Sequence, residues 1–470
     1  MKEADKLRMS RRRFMGQASC AAVGSTALFS TLFNLRMASA AVSNIPIIDN
    51  GEDYKALVCL FLAGGNDSFN MLVPRSVSDY NEYQGIRTDL ALKRDSLLPI
   101  NIVNSDGREF GVHPAMPELQ QLFNNGHASM VANVGTLVEP TTLNGVLSGS
   151  NRLPLGLYSH SDQIMHWQSS IPDRRSTTGW AGGMADMLQA ANQDQRVSMN
   201  ISVSGNNVFQ TGNQTFNYVT SPGQVVGENA EDGDGGLMDQ LRQSSIQSMM
   251  DQEYRNLFEK NYASLSKGSI EANELFRTAL QSAPTIQTAF SANEVSQSFR
   301  AIAKTIASRK ALGQRRQTFF ILFGGWDHHD EVINAQNQML SVVSKGLSEF
   351  HVATQELGVA DKVTTFTASD FGRTLTSNGR GSDHAWGGNH IVMGGSVNGG
   401  CLFGQYPSLY AGNPLDTGRG RLIPTLSVDE YFAEMAMWMG VDASSLPNIF
   451  PNIGRFYGIN SGEKPIGFMA

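Results

Sequence analysis

Residues 56–67 decide the fold: Ala56-Leu57-Val58-Cys59-Leu60-Phe61-Leu62, followed by Ala63 and then Gly64-Gly65-Asn66-Asp67. Seven apolar residues in unbroken succession leave no polar face. A strand of this kind has to be covered on both sides, as in a parallel sheet between helices. The glycines stop it, and a carboxylate stands just past its end. The same design recurs along the chain. Ala128–Val134 stops at Gly135, and Thr318–Phe323 stops at Gly324-Gly325-Trp326-Asp327. Lys362–Thr367 stops at Ser369-Asp370, and His390–Met393 stops at Gly394-Gly395.

Helical patterns fill the intervals. Pro117–Phe123 precedes the second run. Glu331–Leu357 precedes the fourth and places Ile333, Leu340, Val343, Leu347 and Phe350 on one face. Strands alternating with helices predict an open α/β sheet, in which ligands bind beyond the carboxyl ends of the strands. Residues 190–235 depart from this pattern. They are rich in Asn, Gln, Gly and Ser, and 237–312 then reads as polar-faced helices. The stretch 190–312 is expected to be a polar, largely helical insertion or cap within a single α/β domain spanning 41–470.

Composition narrows the function classes. Of 470 residues, 41% are hydrophobic and 17% charged, which supports a large core and excludes disorder. Residues 1–40 hold seven basic residues and two acids, so their removal takes the formal net charge from −7 to −12. An acidic body gives no electrostatic basis for general nucleic-acid binding. The first forty residues read as an address. Ser10-Arg11-Arg12-Arg13-Phe14-Met15 resembles the twin-arginine export motif, a mildly apolar stretch follows, and Ala38-Ser39-Ala40 is a small-residue cleavage site. The apolar stretch contains Gly, Ser, Gln and Asn and is too polar for a good membrane span; no other stretch is long and apolar enough. The expectation is therefore a partner in the twin-arginine export machinery, a periplasmic or otherwise exported protein, and a mature chain with no stable membrane span. That chain keeps only Cys59 and Cys401, which is no disulfide framework, although a bridge between the two is open.

Residues with chemistry gather at the strand ends. Asp67 follows the first strand, Asp327, His328 and His329 the third, and Asp370 the fourth; Asp383, His384 and His390 lie around the next loop. Carboxylates and imidazoles brought together from separate strand ends are what a hydrolytic Zn, Mn or Mg site requires. Each Asp alone also suits a helix cap. Ser159-His160-Ser161-Asp162 opens a further helix, where Ser159 is either a nucleophile favoured by the helix dipole or an ordinary cap. Arg373 can bind an anionic group bidentately or pair with a local carboxylate. His113 and His351 read as structural.

These residues resemble the exported bacterial family known as domain of unknown function 1501. The similar segments are the leader, Phe61–Asp67, Val112–Met116, Ser159-His160 with Trp167-Gln168, Thr178–Gly182, Gly325–His329, Ser369–Thr374 and Ser382–His390. The resemblance implies an alkaline-phosphatase-like, mainly parallel α/β fold. It implies hydrolysis of a phosphate, sulfate or related anionic ester at one or two divalent metals (Zn, Mn, Mg or Ca). By that resemblance Asp67, Asp327, His329, Asp370 and either His384 or His390 are metal ligands, Ser159 is the nucleophile, and Arg373 neutralises the anion. Phe371 stands where the related motif has a histidine, so a second metal requires His384 to substitute. The other reading is a non-catalytic binding or assembly protein on a hydrolase-like fold. Cleavage after Ala40 predicts a mature chain beginning at Ala41, which the intact mass of exported material checks.

Overall fold

The computed structural model describes residues 53–221 and 257–470, together with positions 248 and 252. The expected leader and its cleavage site lie outside the described residues. Twelve strands are described: β1 (Lys55–Leu62), β2 (Leu72–Pro74), β3 (Leu98–Ile100), β4 (Phe110–Val112), β5 (Ala128–Gly135), β6 (Asn200–Ser202), β7 (Tyr218–Val219), β8 (Arg316–Phe323), β9 (Val363–Ser369), β10 (Gly388–Met393), β11 (Leu402–Phe403) and β12 (Leu426–Ser427). β2, β3 and β4 form a small antiparallel sheet; the others form the main sheet in the order β11-β5-β10-β9-β1-β8-β6-β7, with β12 also on β5.

The apolar run of β1 lies at the centre of this sheet, parallel to β8 on one side and β9 on the other. Its alternate residues serve two cores. Ala56, Val58, Leu60 and Leu62 pack toward the helices Glu294–Ala307 and Val332–Glu356. Leu57, Cys59 and Phe61 pack toward the helices Trp180–Leu188 and Val428–Met439. A strand covered on both faces has no use for polar alternation, which is why its sequence shows none. On the long helix, Leu340, Val343, Leu347 and Phe350 are buried as the periodicity predicts. Cys59 is buried in the second core, and both it and Cys401 are free thiols.

The sheet is mainly parallel as expected, and β10 is its exception: it runs antiparallel to both β9 and β5. The connection from Ser369 to Gly388 contains no helix. It folds back on itself through Gly372 N–H to Trp386 O, Ala385 N–H to Gly372 O and Thr374 N–H to Asp383 O, each 2.9 Å. The chain therefore re-enters the sheet from the edge it has just left, and a strand entered that way runs in the opposite sense. Residues 190–312, expected as an insertion or cap, supply β6 and β7 to the sheet edge and the helices Leu257–Gln281 and Glu294–Ala307. No helix among the described residues is long and apolar enough to cross a membrane.

Register matters most for the site. Leu62 pairs with Phe323 and with Ser369, so β1, β8 and β9 end flush. The turn after β1 needs glycine: Gly64 has φ of +120°, and a Cβ there would lie 2.5 Å from the backbone nitrogen of Asp327. Gly64→Ala should therefore destabilise the protein by about 1–3 kcal/mol, through strain and overpacking together. A shift of the urea midpoint at unchanged slope is the expected readout.

Candidate metal centre

The flush strand ends deliver Asp327 and Asp370 to one place, and two histidines approach from outside the sheet. His160 opens the helix His160–Ser169, and His384 sits on the returning arm of the 372–386 hairpin. His160, Asp327 and His384 offer ligand atoms that all lie within 4.8 Å of one another. His329 adjoins them, with Nε2 3.1 Å from Asp327 Oδ1 and 3.0 Å from His384 Nε2. His384 Nε2 is 3.2 Å from Asp327 Oδ1, and His160 Nε2 is 3.4 Å from Asp327 Oδ2. The Asp327 side chain remains 44% exposed, so the cluster opens to solvent.

All three imidazoles are held at Nδ1 by an acceptor. That of His160 donates to Asp370 Oδ2 at 2.7 Å, that of His329 to Asp383 Oδ1 at 3.0 Å, and that of His384 to the carbonyl of Tyr158 at 2.9 Å. An acceptor at Nδ1 places the proton there, so in each neutral ring the Nε2 lone pair faces Asp327. Two nitrogen lone pairs 3.0 Å apart repel unless a cation or a proton lies between them. Donors about 2.0–2.2 Å from one ion are spaced at roughly 3.0–3.5 Å, the spacing seen here. His160, Asp327 and His384 lie close enough to share an ion, and imidazole and carboxylate donors suit an imidazole-preferring divalent ion; Mg and Ca favour all-oxygen sites.

The surroundings act differently on each of these groups. Burial would raise the Asp327 carboxyl, but hydrogen bonding and charge from Arg373 hold it below its usual range. Against the same opposing effect of burial, Asn378, Arg419 and His329 lower Asp383 to about 2. Burial lowers His384 and favours its neutral ring. The hydrogen bond that His160 donates to Asp370 raises His160. Asp370 is itself fixed by the Gly64 N–H, which donates to Oδ1 at 3.0 Å. Phe371, which cannot ligate, packs against both imidazoles, its ring centroid 4.6 Å from that of His384 and 4.9 Å from that of His160.

Several expected residues have other partners. Asp67 is fully buried, with Oδ2 accepting from Arg87 Nη2 at 2.6 Å and from Ser382 Oγ at 3.0 Å. It is neither in the cluster nor a side-chain cap for the one-turn helix Ser68–Met71. His390 is buried in β10 between Trp167 and Tyr431, and burial lowers it to about 3. Ser159 Oγ pairs with Ser161 Oγ at 3.2 Å, and it is the next residue, His160, that reaches the cluster. The Arg373 side chain is fully buried. Its Nη1 donates to Asp327 Oδ1 at 2.7 Å and to Gly64 O at 3.3 Å, and its Nη2 to Ser382 O. It holds Asp327 in place and is closed off from a solvent-borne anion by its burial. Asp383 orients His329, not its neighbour His384. His113 and His351 are structural: burial lowers each to about 4.

Fold and site together define a mainly parallel α/β protein with a histidine–carboxylate cluster at the carboxyl edge of its sheet. Over residues 54–466 the sequence matches the family described as "Protein of unknown function (DUF1501)", and the chain belongs to that family. Comparison with curated proteins gave no match. Among solved structures, the chain is similar to Ps i-CgsB in complex with k-i-k-neocarrahexaose at 10% identity, covering 85% of this chain and 77% of that one with a TM-score of 0.33. It is similar to the PsFucS1 sulfatase from Pseudoalteromonas sp. at 9% identity, covering 87% and 71% with a TM-score of 0.34. It is also similar to the lipoteichoic acid synthase LtaP from Listeria monocytogenes at 9% identity, covering 83% and 82% with a TM-score of 0.28.

The Asp383 carboxylate fixes the ring of His329 by accepting from its Nδ1. Asp383→Asn should accordingly weaken Zn(II) binding by roughly 10–100-fold, measured by competition against a chelating dye.

Proposed function

We propose that this protein is an exported, metal-dependent hydrolase of phosphate, sulfate or related esters, on an alkaline-phosphatase-like α/β domain. The observation that carries the reading is the presentation of three Nε2 atoms toward Asp327, each with its Nδ1 already committed. Such preorganisation has a cost in buried and paired polar groups, and a divalent ion recovers it. His160, Asp327, His329 and His384 would hold the ion. When bound, it would polarise an ester oxygen and lower the pKa of a water molecule. The chain's own contribution is orientation: Asp370, Asp383 and the Tyr158 carbonyl fix the rings, and Arg373 fixes the carboxylate. Transport through the twin-arginine route to the periplasm belongs to the same proposal and rests on the Arg11-Arg12 motif and the Ala38–Ala40 site.

A second reading, a non-catalytic binding or assembly protein that keeps one metal, is favoured by one observation. Ser159 and Arg373, the groups expected to attack and to neutralise, are both engaged elsewhere.

The purified full chain should contain a divalent metal and hydrolyse an activated phosphate or sulfate ester in a chelator-sensitive manner. His384→Ala should lose both metal and rate, the rate by more than about 100-fold, since loss of a ligand exceeds the roughly 10–100-fold typical of its supporting partners. His351→Ala should lose neither, because His351 packs against His127 on the long helix. A metal-loaded protein inert across a broad ester panel would support the binding-protein reading.

A further inference from the structure

The arginine expected to receive an anion, Arg373, is fully buried with both Nη atoms bonded to the protein, yet another guanidinium at the rim of the cluster is held in place with its fork free. Arg421 donates through Nε to the carbonyl of His384 at 3.3 Å. Its guanidinium carbon lies 5.3 Å from the ring centroid of Tyr158. Tyr158 in turn accepts the Nδ1–H of His384 through its own carbonyl. Tyr158, His384 and Arg421 thus form a closed triangle: one backbone carbonyl orients the imidazole, another anchors the guanidinium, and the phenol ring supports its plane.

The neighbouring arginines differ. Arg419 is paired with Asp383 at 2.6 Å and Arg380 with Asp330 at 3.3 Å. Among the described residues, neither Nη of Arg421 makes a hydrogen bond or ion pair, and no carboxylate neutralises it. The loop that carries Arg421 is built, not merely exposed. Asp416 Oδ1 accepts the N–H groups of Gly418 and Gly420 at 2.8 Å each, Thr417 N–H and Oγ1 both donate to Arg421 O at 3.0 Å, and Asp416 bridges to Leu422. A guanidinium with Nε anchored and both Nη groups free presents two parallel donors, the geometry that two oxygens of one tetrahedral oxyanion match. Stacking on an aromatic ring lowers the entropy lost when that anion binds.

We infer that Arg421, held by Tyr158 and the His384 carbonyl, is the anion-binding residue of this site, and that its ligand is the phosphate or sulfate group of the substrate. The inference rests on the hydrolase reading for its substrate, but anion binding can be measured without turnover. Inorganic phosphate and inorganic sulfate are the probes, titrated calorimetrically into the metal-loaded full chain, with metal content determined in parallel. Arg421→Met should weaken binding of the favoured anion by roughly tenfold or more at unchanged metal content, as expected for the loss of charge-assisted hydrogen bonds. Arg421→Lys keeps the charge and the stem but not the fork, and should show an intermediate loss. Tyr158→Ala retains the backbone carbonyl and should weaken the anion severalfold while retaining metal.

Arg421→Met and Arg421→Lys proteins that bind the anion as tightly as wild type would overturn the inference, as would a metal-loaded wild type that binds neither anion at millimolar concentration. A wild type that binds anion through Arg421 but turns over no ester would overturn the hydrolase reading and leave the inference standing.

Discussion

The hydrogen bond from the buried Arg373 guanidinium to Asp327 is the interaction on which the site depends. Arg373 is inaccessible to solvent, yet it reaches the one carboxylate at the centre of the cluster and ties it to the carbonyls of Gly64 and Ser382. These three partners belong to the turn after β1, the turn after β8 and the returning arm of the hairpin. A charge so placed cannot be left unpaired without a large penalty, and so the three segments have little freedom to move apart. Asp67 completes the arrangement from below, bound to Arg87 and to the Ser382 hydroxyl. Its negative charge is spent on a buried arginine, which explains why a residue in so suggestive a position does not join the histidines.

The cluster divides its work between side chains that face inward and partners that hold them from behind. Two carboxylates and one carbonyl fix the Nδ1 positions, and the Phe371 ring packs against His160 and His384. This separation means that the electronic character of each imidazole is set by residues outside the cluster. Asp370 raises the proton affinity of His160, while burial lowers that of His384, so the three rings are not equivalent.

Much of this was legible in the residues. Each of the five apolar runs is a strand of the main sheet, because a strand buried on both faces has a composition that few other elements share. The direction of β10 was not legible. Direction is a property of the connection, and the pairing of residues 372–374 with 383–386 has no signature in hydrophobic periodicity. At the site, Asp327, His329, Asp370 and His384 were found by their positions at strand ends. Asp67 and His390 satisfied the same rule and lie elsewhere, since position along a strand does not reveal which buried partner takes the side chain. His160 is hidden beside Ser159, because a hydroxyl at a helix start is the stronger signal of chemistry in that turn. Adjacent residues in a capping turn point in different directions, and only the three-dimensional path chooses between them.

The flush ends of β1, β8 and β9 have a consequence for the order of events in folding. β1 and β8 are aligned Lys55 to Arg316, and the bond from Gly64 to Asp370 spans 306 residues. His160 and Asp370 are separated by 210 residues. Contacts of such sequence separation form late, because the loops they close cost the most entropy. Asp327, His329 and His384 come from one stretch of the chain, but His160 and the Gly64 turn that fixes Asp370 join them only from far away in sequence. The complete centre therefore requires the middle of the sheet to be paired first.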